Sequence, residues 1–198
     1  YGGSGSCSPN SIQQTLDGGF ILYGEGTWDG NTDYSVWQGI MVRVDRMGNE
    51  LWHRDYGGEN SEEGYGCALA DDGGFVAVGF TNSGGFTGGY IVKTDSDGNQ
   101  SWFRQLNNFN PMRVTRTGDG GFILSGLSSS QMLLMKLNRE GQQLWAHGFG
   151  RIGLSVFSYG LYQDGNGNLY TSGYAEGDSL NGRDMFVLKT DSAGNELR

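Results

Sequence analysis

Acidic and aromatic residues are concentrated in a few glycine-rich segments of the sequence. The richest segment is EGTWDGNTDYSVWQG (25–39). Its candidate ligand-binding side chains are Trp28, Asp29, Asp33, Tyr34 and Trp37. Aromatic faces stack on sugar rings and carboxylates accept hydrogen bonds from hydroxyl groups, so this segment favours a platform for a glycan or a peptide. The alternative is that its aromatic side chains cover an exposed sheet edge.

Other segments of similar character supply further candidates: Glu62, Asn82, Phe86 and Asp184. Glycoside cleavage needs two carboxyl groups that flank the scissile bond. Asp29, Asp33, Glu62 and Asp184 are available for that role, but no spacing singles out an acid and a nucleophile. The two histidines, His53 and His147, both follow tryptophan positions in predicted outer strands. We therefore predict no catalytic residue and interpret the candidates as binding residues.

A metal site has weak support in the sequence. Asp95-Ser96-Asp97-Gly98-Asn99 resembles the start of a calcium loop but lacks the bidentate acid that completes an EF-hand loop. Met47 and Ala193 replace its middle carboxylate in other copies of the same phrase, so we predict a tight turn. Two isolated histidines argue against a transition metal. We expect no cofactor and leave open calcium on the acidic loops.

Composition limits the class of protein. The 198 residues include 37 glycines, only 2 prolines and 13% aromatic residues, which indicates a packed, turn-rich structure rather than disorder. A net charge of −9 disfavours nucleic acid as a partner, and without an apolar run of 18 residues we expect no membrane insertion. The missing initiator Met and signal segment suggest a mature or excised piece. Cys7 and Cys67 form either one disulfide or two thiols.

A pair of phrases recurs four times along the chain. DGGFVAVG (72–79) with VKTDSDGNQSW (92–102) is echoed by DGGFILYG (17–24) with VRVDRMGNELW (42–52), by DGGFILSG (119–126) with MKLNREGQQLW (135–145), and by NGNLYTSG (166–173) with LKTDSAGNELR (188–198). A motif that recurs with a period near 50 residues indicates a repeat architecture. The repeats run approximately over 4–56, 57–106, 107–150 and 151–198.

Each repeat predicts four short antiparallel strands. Apolar runs are separated by Asp-Gly-Gly and Asp-x-x-Gly-Asn turns, which are strong hairpin signals. Four such strands are the unit of a β-propeller blade. We therefore predict an all-β fold without helices, a single β-propeller domain over residues 1–198 with four blades. A ring of four blades, a part of a larger ring, and a propeller completed by a second copy all remain open.

The same phrases resemble a family of bacterial and archaeal extracellular propeller repeats that occur in tandem in large surface proteins. YGGSGSCSPNSIQQTLDGGFILYG (1–24), VKTDSDGNQSW and LKTDSAGNELR carry the resemblance. It implies an extracellular or cell-surface location. The Asp-x-x-Gly-Asn-x-x-Trp phrase is also similar to the tryptophan-docking element of quinoprotein dehydrogenases, which implies that each tryptophan packs between neighbouring blades.

The internal comparison separates two faces of the predicted propeller. Constant turns lie on one face and variable loops on the other, and variable loops on a rigid scaffold usually carry function. A cation precedes each Asp-x-x-Gly turn, at Arg43, Lys93, Lys136 and Lys189. We expect it to pair with a carboxylate or carbonyl of a neighbouring blade, the alternative being a charged channel.

These observations lead to one main prediction of function and two alternatives. The main prediction is a non-catalytic extracellular or cell-surface binding or adhesion module, with a glycan or protein ligand on the variable-loop face. The first alternative is a carbohydrate-active enzyme, either a glycoside hydrolase or a polysaccharide lyase, or a fragment of one. The second is a structural spacer or self-assembling array module. Expected partners also include a second copy of the chain or further blades.

Overall fold

The regular structure of the chain consists of β-strands. A computed structural model describes residues 5–27, 36–129, 131–150, 156–176 and 182–197. No helix occurs in these ranges, so they contain no helical segment long and apolar enough to cross a membrane. The predicted all-β propeller fold is confirmed, and it is built from antiparallel sheets with the strand order of propeller blades.

The first two sheets contain four strands each. The first consists of β1 (Cys7–Gln14), β2 (Phe20–Gly26), β3 (Gln38–Val44) and β4 (Glu50–Tyr56). The second consists of β5 (Glu62–Leu69), β6 (Phe75–Thr81), β7 (Gly88–Thr94) and β8 (Gln100–Leu106). In both, sequential strands are paired, so each sheet is a meander. Together they form a compact unit, Tyr1–Asn107, called unit 1.

The third and fourth sheets form a second compact unit, Asn108–Arg198, called unit 2. The third sheet consists of β9 (Asn110–Arg116), β10 (Phe122–Ser128), β11 (Gln131–Leu137) and β12 (Gln143–Phe149). The fourth has three strands, β13 (Val156–Gln163), β14 (Leu169–Glu176) and β15 (Arg183–Thr190). An isolated bridge between Thr190 and Glu196 lies where the predicted fourth strand of this sheet would begin.

In unit 1 the two sheets pack face to face through apolar side chains. Alternate residues of a strand point to one side, so Ile21 and Tyr23 of β2 share a face. This face packs, together with Met41, against Phe75 and Tyr90 of the second sheet. We call the face that packs against the next sheet the back of a sheet and the opposite face its front.

Unit 2 repeats this arrangement. The back of the third sheet contributes Ile123, Met132 and Leu134, which are all but inaccessible to solvent. They pack against the front of the fourth sheet, where Leu169 and Phe186 belong to the same cluster. Burial of these aliphatic and aromatic side chains, at roughly 25 cal/mol per Å² of apolar surface, is the main contribution to holding adjacent sheets together.

Two tryptophans link one sheet to a turn of the next. A Cβ atom added to Gly98 would lie 2.9 Å from the Trp52 ring, and one added to Gly194 would lie 2.9 Å from the Trp145 ring. The Tyr56 hydroxyl also donates a hydrogen bond to the Gly98 carbonyl oxygen at 2.6 Å. These tryptophans therefore lie between neighbouring sheets, and the turn glycine leaves space for each indole.

The Asp-x-x-Gly-Asn phrases form tight turns, as predicted. Asp95 Oδ1 accepts hydrogen bonds from the amides of Asp97 and Asn99, at 2.9 and 2.8 Å. Its second oxygen accepts a bond from the side chain of Asn99 at 2.9 Å. Asp45 and Asp191 accept equivalent bonds. Both oxygens of the carboxylate thus stabilise the turn itself.

Three of the four recurring cations, Arg43, Lys93 and Lys136, bind a carboxylate of their own sheet, so the expectation of a partner on a neighbouring blade is wrong for them. Lys93 Nζ lies 2.7 Å from Asp72 Oδ2, and it also donates to the Thr94 carbonyl oxygen at 2.7 Å. Arg43 with Asp17, and Lys136 with Asp119, form the same pair at 2.6 Å. The cause is the hairpin register, which places the cation of the third strand beside the Asp-Gly-Gly turn between the first two.

This pair explains the second glycine of the Asp-Gly-Gly phrase. A Cβ atom on Gly121 would lie 2.8 Å from Lys136 Nζ and would overlap the Leu137 carbonyl oxygen. The fourth sheet has Asn166 and Asn168 where the other copies have this Asp and this glycine. There the cation, Lys189, lies over the Tyr170 ring at 5.5 Å. Loss of the carboxylate and loss of the glycine therefore occur together.

The ion pair also makes the turn sensitive to acid. Burial tends to raise the pKa of Asp119, but hydrogen bonds from Lys136, Thr117 and the Gly121 amide outweigh it and lower the pKa to about 2. Because the folded-state pKa lies below the ordinary value of 3.8, the pair contributes its full stability above that value. The contribution is lost as the pH falls through about 2.

Both cysteines are free thiols. Cys67 is buried in unit 1, where burial raises its pKa to about 12 although a hydrogen bond with Ser11 opposes the shift. Cys7 is half-buried, and its sulfur lies 3.5 Å from the Thr27 carbonyl oxygen. The structure thus corresponds to the thiol alternative.

The second glycine of the Asp-Gly-Gly phrase leaves space for the cation. We therefore predict that its substitution by alanine lowers stability far more than the same substitution at another glycine of this turn. Gly121→Ala forces its new methyl group against a carbonyl oxygen and a buried ammonium group, and we expect the free energy of unfolding to fall by about 1–3 kcal/mol. Gly118→Ala, in the same turn, adds a methyl group with no atom within 4 Å. Urea unfolding of both variants measures the difference, and equal losses would contradict this role.

Candidate functional site

The predicted ligand-binding residues are only partly covered by the described ranges. Trp28, Asp29, Asp33 and Tyr34 lie outside them. Trp37 is described and half-buried, and its carbonyl oxygen accepts a hydrogen bond from the Glu62 amide at 2.7 Å. This bond joins the segment before β3 to the first residue of β5.

Of the remaining candidates, Asn82 lies near this junction. Its amide donates to the Ser61 carbonyl oxygen, and its own carbonyl oxygen accepts from the Asn60 side chain at 3.0 Å. Phe86 is half-buried, with its ring over Gly88. Asp184 is exposed on β15 and belongs to unit 2. The structure thus groups Trp37, Glu62 and Asn82 around Ser61, whereas Asp184 lies in the other unit.

Glu62 is a buried residue rather than a surface ligand. It is inaccessible to solvent. Its Oε1 atom accepts hydrogen bonds from the hydroxyl groups of Thr81, at 2.9 Å, and Ser83. Its Oε2 atom faces Gly57 and has no hydrogen-bond partner in the part of the chain that the structure describes. This arrangement anchors the start of β5 to the end of β6.

A second carboxylate, Glu25, continues the back face of the first sheet toward the variable loops. It follows Ile21 and Tyr23 at alternate positions of β2, and it pairs with Gly39 across the hairpin. The Gly64 amide and the Asn10 side chain lie near it and oppose part of the rise in its pKa, and the Asn10 side chain donates a hydrogen bond to the Gly64 carbonyl oxygen at 2.8 Å. Its Oε2 atom is buried and, within the described ranges, has no hydrogen-bond partner. A half-buried carboxylate therefore lies in the seam, the packing interface between the two sheets, whereas Ile21 and Tyr23 on the same face of the strand are apolar.

The side chains around Glu25 form an acid–base group that we call the carboxylate cluster: Glu25, Glu63 and Tyr65. Burial raises the pKa of Glu25, and the negative charge of nearby Glu63 raises it further. The Tyr65 hydroxyl donates a hydrogen bond to Glu63 Oε2. Burial and this bond raise the pKa of Tyr65 as well. Two carboxyl groups in unlike environments thus share one location, an arrangement typical of acid–base catalysis.

Two tyrosines lie beneath this cluster. The hydroxyl groups of Tyr23, from the first sheet, and Tyr90, from the second, are hydrogen-bonded to each other. Gly39 leaves the space that both hydroxyl groups occupy. Burial raises the pKa of Tyr90, and the negative charges of Glu62, Glu25 and Glu63 raise it further despite the bond from Tyr23. The tyrosine pair therefore remains protonated at neutral pH.

The sequence contains a signal for this cluster that spacing alone does not reveal. Glu25 occupies the position held by Phe80, Leu127 and Tyr174 in the other copies. Glu63 occupies the position of Ser8, Asn110 and Phe157. Each is thus a carboxylate where no other copy has one. A comparison of repeats position by position, rather than a search for pairs within the loops, identifies both.

No group of three or more metal-ligating His, Cys, Asp or Glu side chains occurs within the described ranges. Glu25 lies near the end of β2, and Glu63 and Tyr65 lie in the first half of β5.

Solved structures with a similar fold include two enzymes whose names refer to sugars, a gluconolactonase and a sialidase. A gluconolactonase from Xanthomonas campestris is 13% identical with a TM-score of 0.52, and the match covers 84% of this chain and 54% of the gluconolactonase. The NanB sialidase (K499G mutant) of Streptococcus pneumoniae is 13% identical with a TM-score of 0.58, over 83% of this chain and 27% of the sialidase. The Dos1 propeller is 13% identical with a TM-score of 0.54, over 93% and 44%.

No protein-family model matches the sequence, and neither does any curated protein. At these identities the structural likeness shows the propeller fold alone. The chain spans about half the length of the gluconolactonase and about a quarter of the sialidase, so the activity of a whole protein is a matter for proposal.

The comparisons contradict the prediction of a non-catalytic binding or adhesion module. Propellers of similar structure include a gluconolactonase and a sialidase, so this fold does not single out a non-catalytic binding role. The physical reason for the error is that aromatic and acidic loops suit binding and catalysis equally well. Glu25 and Glu63 lie near strand ends rather than in these loops.

Two substitutions of Glu62 test whether its buried carboxylate has a structural role. Glu62→Gln keeps an acceptor for Thr81 and Ser83 and replaces the unpartnered oxygen, so we expect a free energy of unfolding equal to or above that of the natural chain. Glu62→Ala removes the acceptor for the hydroxyl protons of Thr81 and Ser83 and leaves a cavity, at a cost of about 2–4 kcal/mol. Guanidinium unfolding measures both, and equal destabilisation by Gln and Ala would contradict this interpretation.

Proposed function

We propose that the chain is a carbohydrate-active enzyme, or a part of one, that hydrolyses a glycosidic bond at the carboxylate cluster. The observation that carries the proposal is Glu25, a half-buried carboxyl group whose pKa is raised by burial and by the charge of Glu63. A carboxyl group of this kind holds its proton to higher pH, as a general acid requires. The fold of known sugar enzymes supports the proposal without deciding the substrate.

Glu25 supplies the proton in this reaction. Its proton passes to the glycosidic oxygen while the bond from that oxygen to the anomeric carbon breaks, and the leaving sugar departs as an alcohol. Burial of Oε2 without a hydrogen-bond partner in the described ranges favours the neutral form before the reaction. The nearby Gly64 amide and Asn10 side chain, which favour the charged form of Glu25, stabilise the carboxylate that the transfer leaves behind.

Glu63 and Tyr65 supply the base. Glu63 is exposed at the start of β5, where it can take a proton from a water molecule that forms the new bond to the anomeric carbon. The Tyr65 hydroxyl orients this carboxylate through its hydrogen bond. We assign a hydrolase rather than a lyase because the tyrosine partner is a carboxylate, and a carboxylate suits the activation of water.

The tandem-repeat resemblance gives the proposed setting. Its motifs fill the four copies described above, and they favour an extracellular or cell-surface location and a place within a longer series of blades. The contact of Trp52 and Trp145 with turn glycines of the next sheet supports a tryptophan-docking element of the quinoprotein kind.

The proposal predicts how pH and a single substitution affect activity. Because the acid is active when protonated, kcat/KM should fall as the pH rises through the pKa of Glu25. Glu25→Gln keeps the shape but holds no transferable proton, so we expect kcat to fall by about 10²–10⁴-fold and this basic limb to vanish. The assay uses a panel of chromogenic glycosides that includes a sialoside, with gluconolactone as an additional substrate.

Asp97→Asn is the matched control, since it changes an exposed turn carboxylate to an amide. It should leave activity and the pH profile unchanged, and circular dichroism should show that all variants are folded. Turnover that survives Glu25→Gln undiminished would contradict the proposal. So would a folded natural chain that cleaves no member of the panel.

A further inference from the structure

Glu62, the buried first residue of β5, has one carboxylate oxygen that the contacts of the fold do not use. Its Oε1 atom accepts the hydroxyl protons of Thr81 and Ser83. Its Oε2 atom is buried and, among the described residues, has no hydrogen-bond partner. Burial of a polar oxygen costs free energy unless a partner compensates it. Oε2 therefore needs a partner that is positively charged or donates a proton.

The fold itself does not require a carboxylate at this position. The corresponding residues of the other three sheets are Cys7, Phe109 and Val156. Phe109 is 1% exposed, so an apolar side chain fills the same place in the third sheet. Glu62 thus brings a buried carboxylate to a position that uncharged side chains occupy elsewhere. Such a group is tolerated where a partner of opposite charge balances it.

Gln38, the first residue of β3, supplies a second oxygen beside Glu62. Its Nε2 atom donates to the carbonyl oxygens of Gly58 and Asn60, both at 3.2 Å. These two bonds fix the orientation of the amide, because its nitrogen must face them. A Cβ atom added to Gly57 would lie 2.7 Å from Gln38 Oε1 and 2.3 Å from Glu62 Oε2. The two oxygens therefore face the same point, where Gly57 has no side chain.

Both of these oxygens are acceptors, so a cation satisfies them together. Calcium binds carboxylate oxygens and the amide oxygens of Asn and Gln at about 2.3–2.6 Å, so one ion contacts two oxygens that are up to roughly 5 Å apart. Zinc and copper favour nitrogen and sulfur ligands, and the pair of Glu62 and Gln38 offers oxygen alone. The chemistry of the pair thus favours calcium.

The surrounding charge favours a divalent cation. Unit 1 has 14 Asp and Glu against five Lys and Arg. Burial raises the pKa of the Tyr90 hydroxyl, and the charges of Glu62, Glu25 and Glu63 raise it further. Three carboxylates therefore act on one small region of unit 1. A bound divalent ion would reduce their mutual repulsion.

We propose that Glu62 Oε2 and Gln38 Oε1 form a calcium site that joins the start of β5 to the start of β3. Water molecules complete the coordination of the ion. With two protein oxygens the site is weak, and we expect a Kd of about 10⁻⁴–10⁻³ M, as in extracellular calcium-binding modules. The bound ion stabilises the junction between the first two sheets. It takes no part in the reaction proposed at the carboxylate cluster, and its test does not depend on that reaction.

Calorimetric titration of the chelator-treated chain with calcium chloride measures the affinity, and thermal unfolding measures the effect on stability. Calcium at about 10 mM should raise the Tm by at least about 3 °C, since a ligand that binds only the folded chain stabilises it. Magnesium at the same concentration should raise it less, because magnesium requires a near-octahedral set of ligands and loses its water reluctantly.

Two variants locate the ion. Glu62→Gln removes the charge and keeps the size of the side chain, so calcium should neither bind nor raise the Tm. In chelator this variant should be at least as stable as the natural chain, which shows that a lost calcium effect is not a folding defect. Gln38→Ala removes the second oxygen without altering Glu62, and it should raise the Kd at least tenfold.

Glu59→Gln is the matched control, since it makes the same substitution at an exposed carboxylate three residues before Glu62. It should leave the Kd and the calcium-induced rise in Tm unchanged. Equal loss of binding in Glu59→Gln and Glu62→Gln would overturn the proposal, because binding would then depend on overall charge. A natural chain whose Tm does not respond to calcium would overturn it too, and would leave a proton shared with Gln38 as the partner of Oε2.

Discussion

The seams between adjacent sheets determine the rest of this structure. In each unit the back of one sheet packs on the front of the next through side chains such as Tyr23, Tyr90, Leu134 and Phe186. Because side chains alternate along a strand, every second residue of β2 or β10 is committed to that contact. A residue of another chemical type at such a position is therefore costly unless its own contacts satisfy it. Glu25 is such a residue, and its position decides where the proposed chemistry takes place.

The turns show how the sheet is kept in register below the seams. The buried cation of the third strand binds the aspartate of the Asp-Gly-Gly turn, and the second glycine makes room for it, as at Lys136, Asp119 and Gly121. The Asp-x-x-Gly turns are stabilised by their own carboxylate, as at Asp95. These interactions stay within one sheet. They leave the opposite ends of the strands free to differ between copies, and the carboxylate cluster lies at those ends.

Much of the fold could be predicted from the sequence, because the signals for it are local and repeated four times. Turn residues such as Asp95 and Gly98 indicate hairpins, and the apolar runs between them indicate strands. The expected partner of Lys93 on a neighbouring blade is wrong, because the spacing of the repeats does not show the hairpin register that sets contacts within a sheet. Of the candidate site, Glu62 was identified by residue type, but its burial depends on Thr81 and Ser83, which are 19 and 21 residues away. Glu25 and Glu63 approach each other only across a seam.

Glu25 and Glu63 are close enough for the charge of Glu63 to shift the titration of the half-buried Glu25 carboxyl group. Carboxyl carbon NMR of the chain, followed through a pH titration, measures this directly. Glu25 should titrate above the ordinary value of 4.5, and Glu63→Gln should lower the pKa of Glu25 because it removes the neighbouring charge. The proximity of the two carboxyl groups would be contradicted if Glu25 titrated at or below 4.5, and did so equally in the natural chain and in the Glu63→Gln variant.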